Sequence, residues 1–398
     1  MLRRSLRDEP RPALADKLII IASERLEPGM YVAELDRSWL ETPFAETGML
    51  LTNEAQIETL RRCCDYVYVD PERSDAAAVT GLQTKAANGN GRLAQSRAAL
   101  DKVAERLAAA VRLARRQGRL DIGPLKRAAE LLVHTVIDSR DACLWILQLH
   151  APPQLLYRRA LGTAIYAVLL GLELGLKRRE LREVAIGGLL LDIGKTAVPV
   201  PILAKPEALN EIERHFVRRH VPQAIRLLRR AERAGARVLE MVQGHHERLD
   251  GSGYPRQLRG TEIPLYARMA AIADSFDALT LDRRYAPAIS PHDSLRLLNG
   301  QRDRAYDAAL VREFIHALGV YPTGTRVQLT DGSRGLVCRQ DPDWPLRPQV
   351  LVTELADGGR PEHAIVVDAG MRQRIAAALP PAPPPPELGQ LESAIAWH

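Results

Sequence analysis

The sequence predicts a mainly α-helical protein, in which a helical domain follows a small α+β domain and precedes a small β unit. Three observations support this prediction. Residues 96–317 carry apolar side chains at helical spacing almost throughout. Residues 17–32 join a β-branched run to a second short strand through a Pro-Gly turn, and residues 66–70 alternate with period two. After residue 321, two more alternating runs flank an Asp-Gly turn.

Composition places the domain boundaries. Residues 73–95 are small, polar and glycine-containing, which is typical of a linker, so the first domain is predicted to span residues 1–72. The helical domain then covers residues 96–317 and the β-rich unit residues 318–378. Residues 379–398 form a proline-rich tail, which favours an extended conformation.

Bulk composition excludes several classes of protein. The apolar stretch at residues 161–176 is interrupted by Glu173 and falls short of the roughly 20 residues that cross a bilayer, so we expect no membrane span and a cytoplasmic protein. Four cysteines in 398 residues do not form a disulfide framework. A net charge of +6 suits an anionic ligand, but solvated arginine-rich helix faces are the better explanation. No aromatic-interleaved basic patch indicates a nucleic-acid partner.

Histidines and acids cluster near the ends of apolar helical segments in the helical domain. They are Asp192, His220, His245, His246 and Asp274. Imidazole and carboxylate groups together suit divalent transition metals, and facing helices can project them to one point. A single histidine such as His220 is more often a surface or satisfied core residue. The adjacent pair is less ordinary, because neighbours on a helix reach one metal only at a helix end.

The segment HHERLDGSGYP, residues 245–255, extends this pattern. Gly251 and Gly253 would let backbone amides approach a ligand, and Tyr254 before Pro255 offers a stacking face. The Gly-Ser-Gly turn is weak evidence alone, but it is strong evidence when joined to the histidine pair.

Two aspartates lie on one face of a later helix, in AAIADSFDALT. Asp274 has an apolar surround, where an unpaired carboxylate is costly, so we interpret it as a metal ligand. Asp277 is interpreted as a supporting residue, with pairing to Arg283 or Arg284 as the alternative.

These motifs, in the order DIGK, the His220 helix, HHERLDGSGYP and IADSFDALTLDRRY, resemble an HD-GYP domain over residues 150–317. That family is a subgroup of the HD-domain phosphohydrolases, and its members hydrolyse the bacterial messenger cyclic di-GMP at a two- or three-metal centre. The resemblance implies an all-helical HD-type bundle. The stretch from LEPGMYV to VYVD resembles the small uncharacterised domain that often precedes HD-GYP domains, and the β unit resembles their C-terminal extension.

The resemblance also implies roles for individual residues. Asp192 would bridge two metals, His220 and the histidine pair would complete one metal's shell, and Asp274 would belong to the other metal. Lys195 would lie next to the bridging water and the scissile phosphate. The residues implied near the substrate are Gly251, Gly253, Tyr254, Pro255, Arg283, Arg284 and Tyr285.

Two positions depart from the family pattern. Leu191 stands where the family has the histidine before the bridging aspartate, and Leu161 falls where an upstream helix would carry another histidine. Both lost ligands belong to the metal that would use Asp274, so we expect one divalent transition metal per chain, such as iron or manganese, rather than two. His134 or His150 could replace them only if the helices were rearranged.

Two functions remain open at this point. The first is a cyclic di-GMP phosphodiesterase that is weak or inactive because half of its metal centre is lost. The alternative is an inactive cyclic di-GMP sensor or protein-interaction module in second-messenger signalling. Besides cyclic di-GMP, the candidate partners are diguanylate cyclases, other signalling proteins and a second copy of the chain in a homodimer.

Overall fold

The structure is a computed structural model with two compact units, residues 1–91 and 92–398. The ranges that it describes are 19–23, 26–35, 39, 42–44, 48–64, 66–75, 78, 89–149, 155–205, 207–231, 234–282, 287–341, 346–361, 363, 365–370, 373–382 and 395.

The first unit is a small α+β domain, as predicted. Its antiparallel strands β1 (Ile19–Ala22), β2 (Tyr31–Leu35), β3 (Met49–Leu50) and β4 (Tyr66–Val69) lie in the order β1-β4-β2-β3. Helix α1 (Glu54–Cys63) begins with a capping box between Asn53 and Gln56, which satisfies backbone amides at its start. Ile57 and Leu60 from this helix join Val32 and Val67 in a buried core.

The second unit is dominated by helices, which confirms the predicted helical bundle. Their bounds are α2 (Gly89–Gln117), α3 (Gly123–Asp138), α4 (Arg140–Leu149), α5 (Leu155–Glu173), α6 (Arg178–Leu190), α7 (Val200–Ala204), α8 (Glu211–Arg218), α9 (His220–Arg230), α10 (Ala236–Gly244), α11 (Leu265–Leu279), α12 (Pro291–Gly300) and α13 (Ala308–Leu318). Short 3-10 helices cover Ile193–Ala197 and Gly260–Glu262.

Helix α5 lies at the centre of this bundle and packs on α6, α11 and α13. Its apolar run is buried on nearly all sides, which explains its uniformly apolar sequence. Tyr166 of α5 meets Phe276 of α11 edge to face, with ring centroids 4.8 Å apart, and Phe276 meets Phe314 of α13 at 5.2 Å. These aromatic contacts hold α5 and α11 together, and both helices carry residues of the candidate site.

The β unit forms an antiparallel sheet in the order β8-β7-β6-β5-β9. Its strands are β5 (Arg326–Leu329), β6 (Arg334–Arg339), β7 (Gln349–Glu354), β8 (Ile365–Asp368) and β9 (Ile375–Ala378). The Asp-Gly turn joins β5 to β6 as the sequence indicated. The buried carboxylate of Asp141 in α4 accepts hydrogen bonds from the Thr323 hydroxyl at 2.7 Å and from the backbone amide of Gln340 at 3.4 Å. These two hydrogen bonds connect the sheet to the helices.

Helix α2 begins at Gly89, inside the segment whose composition suggested a linker. None of the helices in the described ranges combines the length and apolarity that a bilayer span requires.

Candidate metal centre

Four of the predicted ligands meet at one point. Single ligand atoms of Asp192, His220, His245 and His246 all lie within 4.8 Å of one another. Asp192 follows the end of α6, His220 is the first residue of α9, and the histidine pair follows the end of α10. Helix ends therefore bring these groups together, as the sequence suggested. Asp274 differs from that expectation, because it lies in the interior of α11 and not near a helix end.

Close backbone packing brings Asp192 to His220. Gly194 lies so near α9 that a Cβ atom there would sit 1.9 Å from the His220 carbonyl oxygen and 2.7 Å from the Ala224 amide nitrogen. Any side chain at this position would push the two segments apart. The glycine of the DIGK motif therefore serves the approach of two ligands.

The hydrogen bonds of two histidines fix which ring nitrogen faces the cluster. His220 Nδ1 lies 2.7 Å from the Val217 carbonyl oxygen, and His245 Nδ1 lies 3.0 Å from the Val242 carbonyl oxygen. A carbonyl only accepts, so Nδ1 carries the proton in each ring and Nε2 keeps its lone pair. The two Nε2 atoms face each other at 3.4 Å, and His220 Nε2 also lies 3.4 Å from Asp192 Oδ1.

Electrostatics keep the histidines neutral and the aspartate ionised. Burial lowers the pKa of His245 to about 4, and burial followed by the neighbouring imidazoles holds the pKa of His246 well below its usual value. Burial also lowers the pKa of His220. Burial alone would raise the pKa of Asp192, but the positive charges of Lys195 and Arg159 hold it well below the usual range. Neutral imidazole and ionised carboxylate are the forms that ligate metals.

This donor set fits a divalent metal ion. The lone pairs of His220 Nε2 and His245 Nε2 and the oxygen Asp192 Oδ1 face each other with no proton between them. Such groups repel each other unless a cation lies between them. Backbone carbonyls orient both rings from behind, as they do for metal-binding histidines in general. The Lys195 ammonium donates to the other carboxylate oxygen, Asp192 Oδ2, at 2.6 Å.

The predicted substrate loop packs on a metal-ligand candidate. The Tyr254 ring stacks on His246 with centroids 4.5 Å apart, and the Arg218 guanidinium lies 4.9 Å from the tyrosine ring centroid. Burial raises the pKa of the Tyr254 hydroxyl, with Asp192 and Asp274 adding to the effect. The tyrosine therefore helps to orient His246.

Glu247 holds this loop in place and was missed from the sequence. Its buried carboxylate accepts hydrogen bonds from the backbone amides of Arg256 at 2.7 Å and Leu258 at 3.0 Å. A Cβ on Gly253 would lie 2.4 Å from the His246 carbonyl oxygen, so this glycine permits contact with protein backbone. Gly251 has a φ of +78°, which favours glycine. The glutamate directly after the histidine pair was the available signal.

Two arginines of α5 hold the two aspartates of α11. Arg158 Nη1 donates to Asp277 Oδ1 at 2.6 Å, and both side chains are almost fully buried. Arg159 Nη2 donates to Asp274 Oδ1. Asp277 is thus paired within the bundle core. The adjacent arginines in LLYRRALG, charged residues at the start of an apolar helix, were the signal that sequence reasoning did not use.

The remaining predicted positions include two buried leucines and a histidine that pairs with an aspartate. Leu161 and Leu191 are both buried with 2% exposure, and their status as lost ligand positions stays a prediction. His134 Nδ1 lies 3.1 Å from Asp138 Oδ2, which accounts for its polar contact. The other predicted positions, Arg283, Arg284, Tyr285 and His150, lie outside the described residues.

Comparisons with known proteins match two families along the chain. Residues 145–310 match a family model described as an HD domain, and residues 18–142 match a domain of unknown function, DUF3391. A cyclic di-GMP phosphodiesterase of Pseudomonas aeruginosa is 33% identical over 365 residues, which cover 87% of each chain.

Two further relatives match a shorter part of the chain. A cyclic di-GMP phosphodiesterase response regulator of Xanthomonas campestris is 40% identical over 140 residues, 35% of this chain and 37% of the relative. A 3'3'-cGAMP-specific phosphodiesterase of Vibrio cholerae is 36% identical over 149 residues, 37% of this chain and 28% of the relative.

The helical bundle and its histidine and aspartate cluster define an HD-domain protein, a class that binds divalent metal. Within that class the chain belongs to the HD-GYP family of cyclic di-GMP phosphodiesterase relatives, with a DUF3391 domain before the HD domain. The resemblance noted in the sequence is therefore confirmed.

Proposed function

We propose that this chain hydrolyses cyclic di-GMP with one divalent metal ion, iron or manganese, per chain. The observation that carries the proposal is the pair of lone-pair nitrogens, His220 Nε2 and His245 Nε2, that face each other beside the Asp192 carboxylate. The substrate comes from the relatives, two of which are named cyclic di-GMP phosphodiesterases.

The reaction adds water to a phosphodiester bond. Water attacks phosphorus, the P–O3′ bond breaks, and the released oxygen takes a proton, which gives a linear dinucleotide. When bound, the metal ion lowers the pKa of water and polarises the phosphate. Asp192 holds its negative charge in the cluster because its pKa is depressed.

The contact between Lys195 and Asp192 supports a role for this lysine at the phosphate. An ammonium carries three N–H donors, so Lys195 can contact Asp192 and also donate to a phosphate oxygen that lies beside the carboxylate. Arg218 over Tyr254 adds a positive charge at the loop, where a dianionic dinucleotide would lie.

The test is hydrolysis of cyclic di-GMP by protein purified without oxygen and loaded with iron or manganese, with products separated by chromatography. We expect turnover that disappears in Asp192→Ala and persists in His316→Ala, because His316 pairs with Glu173 outside the cluster. Tight binding of cyclic di-GMP without turnover would contradict the enzyme and support the sensor.

A further inference from the structure

We propose that the guanidinium of Arg159 takes the place of a second metal ion and binds a phosphate oxygen of the cyclic dinucleotide beside the single metal. This inference rests on the proposed function, since it assigns a further catalytic residue to the same reaction.

The first argument is the partner of Arg159. Its Nη2 donates to Oδ1 of Asp274, the carboxylate that the family resemblance assigns to a second metal. The arginine side chain is 18% exposed and the aspartate side chain 11%, so water screens this pair only in part. A positive charge therefore already satisfies the carboxylate on which a second divalent ion would depend.

The second argument is the closeness of Arg159 to the metal cluster. Helices α5 and α6 pack so closely that a Cβ on Gly188 of α6 would lie 2.5 Å from the Cα of Ala164 of α5. A short connection joins these helices, so they run antiparallel, and Arg159 before Ala164 lies towards Asp192 after Gly188. A guanidinium stays charged in proteins, so a fixed positive charge lies on this side of the cluster.

The third argument is unused hydrogen-bonding capacity. A guanidinium carries five N–H donors. Among the residues that the structure describes, Asp274 is the one that accepts a hydrogen bond from Arg159. The buried Nε of Arg159 donates to none of these residues. The donors that remain can bind phosphate, for which the planar guanidinium is well suited.

The chemical role follows from this placement. As water adds to phosphorus, negative charge grows on the non-bridging oxygens, and a fixed cation stabilises it. Arg159 moves no proton, because it stays charged throughout. It supplies the electrostatic part of what a second metal would supply, and its like charge opposes the binding of a second divalent ion.

The first experiment counts metal and needs no nucleotide. Arg159→His removes the fixed charge and offers an imidazole beside Asp274 and Asp192. The second site would then have three protein ligands, the number that is common in catalytic metal sites. We expect manganese titration to give one site in the wild type and two in Arg159→His. The matched control is Arg178→His, which sits at an ion pair with Glu130 and should stay at one site. A folded Arg159→His protein with one site would overturn the placement.

The second experiment measures cyclic di-GMP binding with manganese in place. Loss of a charge-assisted hydrogen bond should weaken affinity by about tenfold to a hundredfold in Arg159→Ala. Arg159→Lys keeps the charge and should recover part of the loss, and Arg178→Ala should bind like the wild type. Unchanged affinity in Arg159→Ala would overturn the phosphate contact.

The two experiments separate this inference from the function on which it rests. If the wild type neither binds nor hydrolyses cyclic di-GMP, the proposed function is wrong and the phosphate contact with it. The manganese count then still decides whether Arg159 occupies the second cation position.

Discussion

Gly194 and His220 approach so closely that no side chain fits between them, since a Cβ on Gly194 would lie 1.9 Å from the His220 carbonyl oxygen. The substitution Gly194→Ala should therefore separate Asp192 from His220. We expect a decrease of about 1–3 kcal/mol in the free energy of unfolding and a clear loss of metal affinity. Denaturant unfolding and metal titration measure the two effects. Gly300→Ala, where a Cβ meets no atom within 4 Å, is the control. Normal metal affinity in Gly194→Ala would argue against this packing role.

The histidine pair should determine the metal content. Replacing both His245 and His246 with alanine leaves Asp192 and His220 as the remaining members of the cluster, too few for tight binding. Elemental analysis of protein purified without oxygen should show close to one metal per chain in the wild type and almost none in the double variant. His316→Ala should keep its metal. Metal retained by the double variant would mean that the site lies elsewhere.

Acid should destabilise the metal-free protein. The pKa of His245 falls from 6.5 to about 4 on burial, so the unfolded chain takes up its proton first as the pH decreases. The contribution of His245 to stability is complete above pH 6.5 and is lost as the pH falls towards 4. Its size is on the order of 3 kcal/mol. Urea unfolding across this range should show a shallower decline in His245→Asn, and identical slopes would refute the effect.

The ion pair between Arg158 and Asp277 should be essential for the bundle. Arg158→Met leaves a buried carboxylate without its cation, and we expect a loss of about 3–5 kcal/mol in stability. Arg334→Met breaks an exposed pair with Glu354 and should cost no more than about 1 kcal/mol. The double variant Arg158→Met, Asp277→Leu should lose less than the single variant, because no charge is then stranded. Equal losses in both would contradict this account of the pair.

Sequence reasoning found the four residues of the cluster because their signals are local. The histidine pair before a glycine-rich turn and Asp192 after an apolar helix each mark a helix end without reference to the rest of the chain. The strands around the Pro-Gly and Asp-Gly turns were predictable for the same reason.

The contacts of α5 with α11 could not be predicted in this way. Arg159 and Asp274 lie 115 positions apart, and their meeting depends on how two apolar helices rotate against each other. Periodicity shows that α5 is buried but leaves open which side chain at its start reaches the site. Leu161 was singled out from the motif, whereas the side chain that contacts Asp274 is Arg159, two residues earlier.

The Glu247 carboxylate has a consequence for attempts to change substrate preference. Glu247 follows His246 directly, and its carboxylate accepts hydrogen bonds from the backbone amides of Arg256 and Leu258, so the histidine pair and the loop form one continuous, hydrogen-bonded segment. A loop taken from a relative with another cyclic dinucleotide as its substrate would therefore lose its hydrogen bonds to Glu247. Exchanging residues 245–258 together would keep these contacts within the exchanged segment.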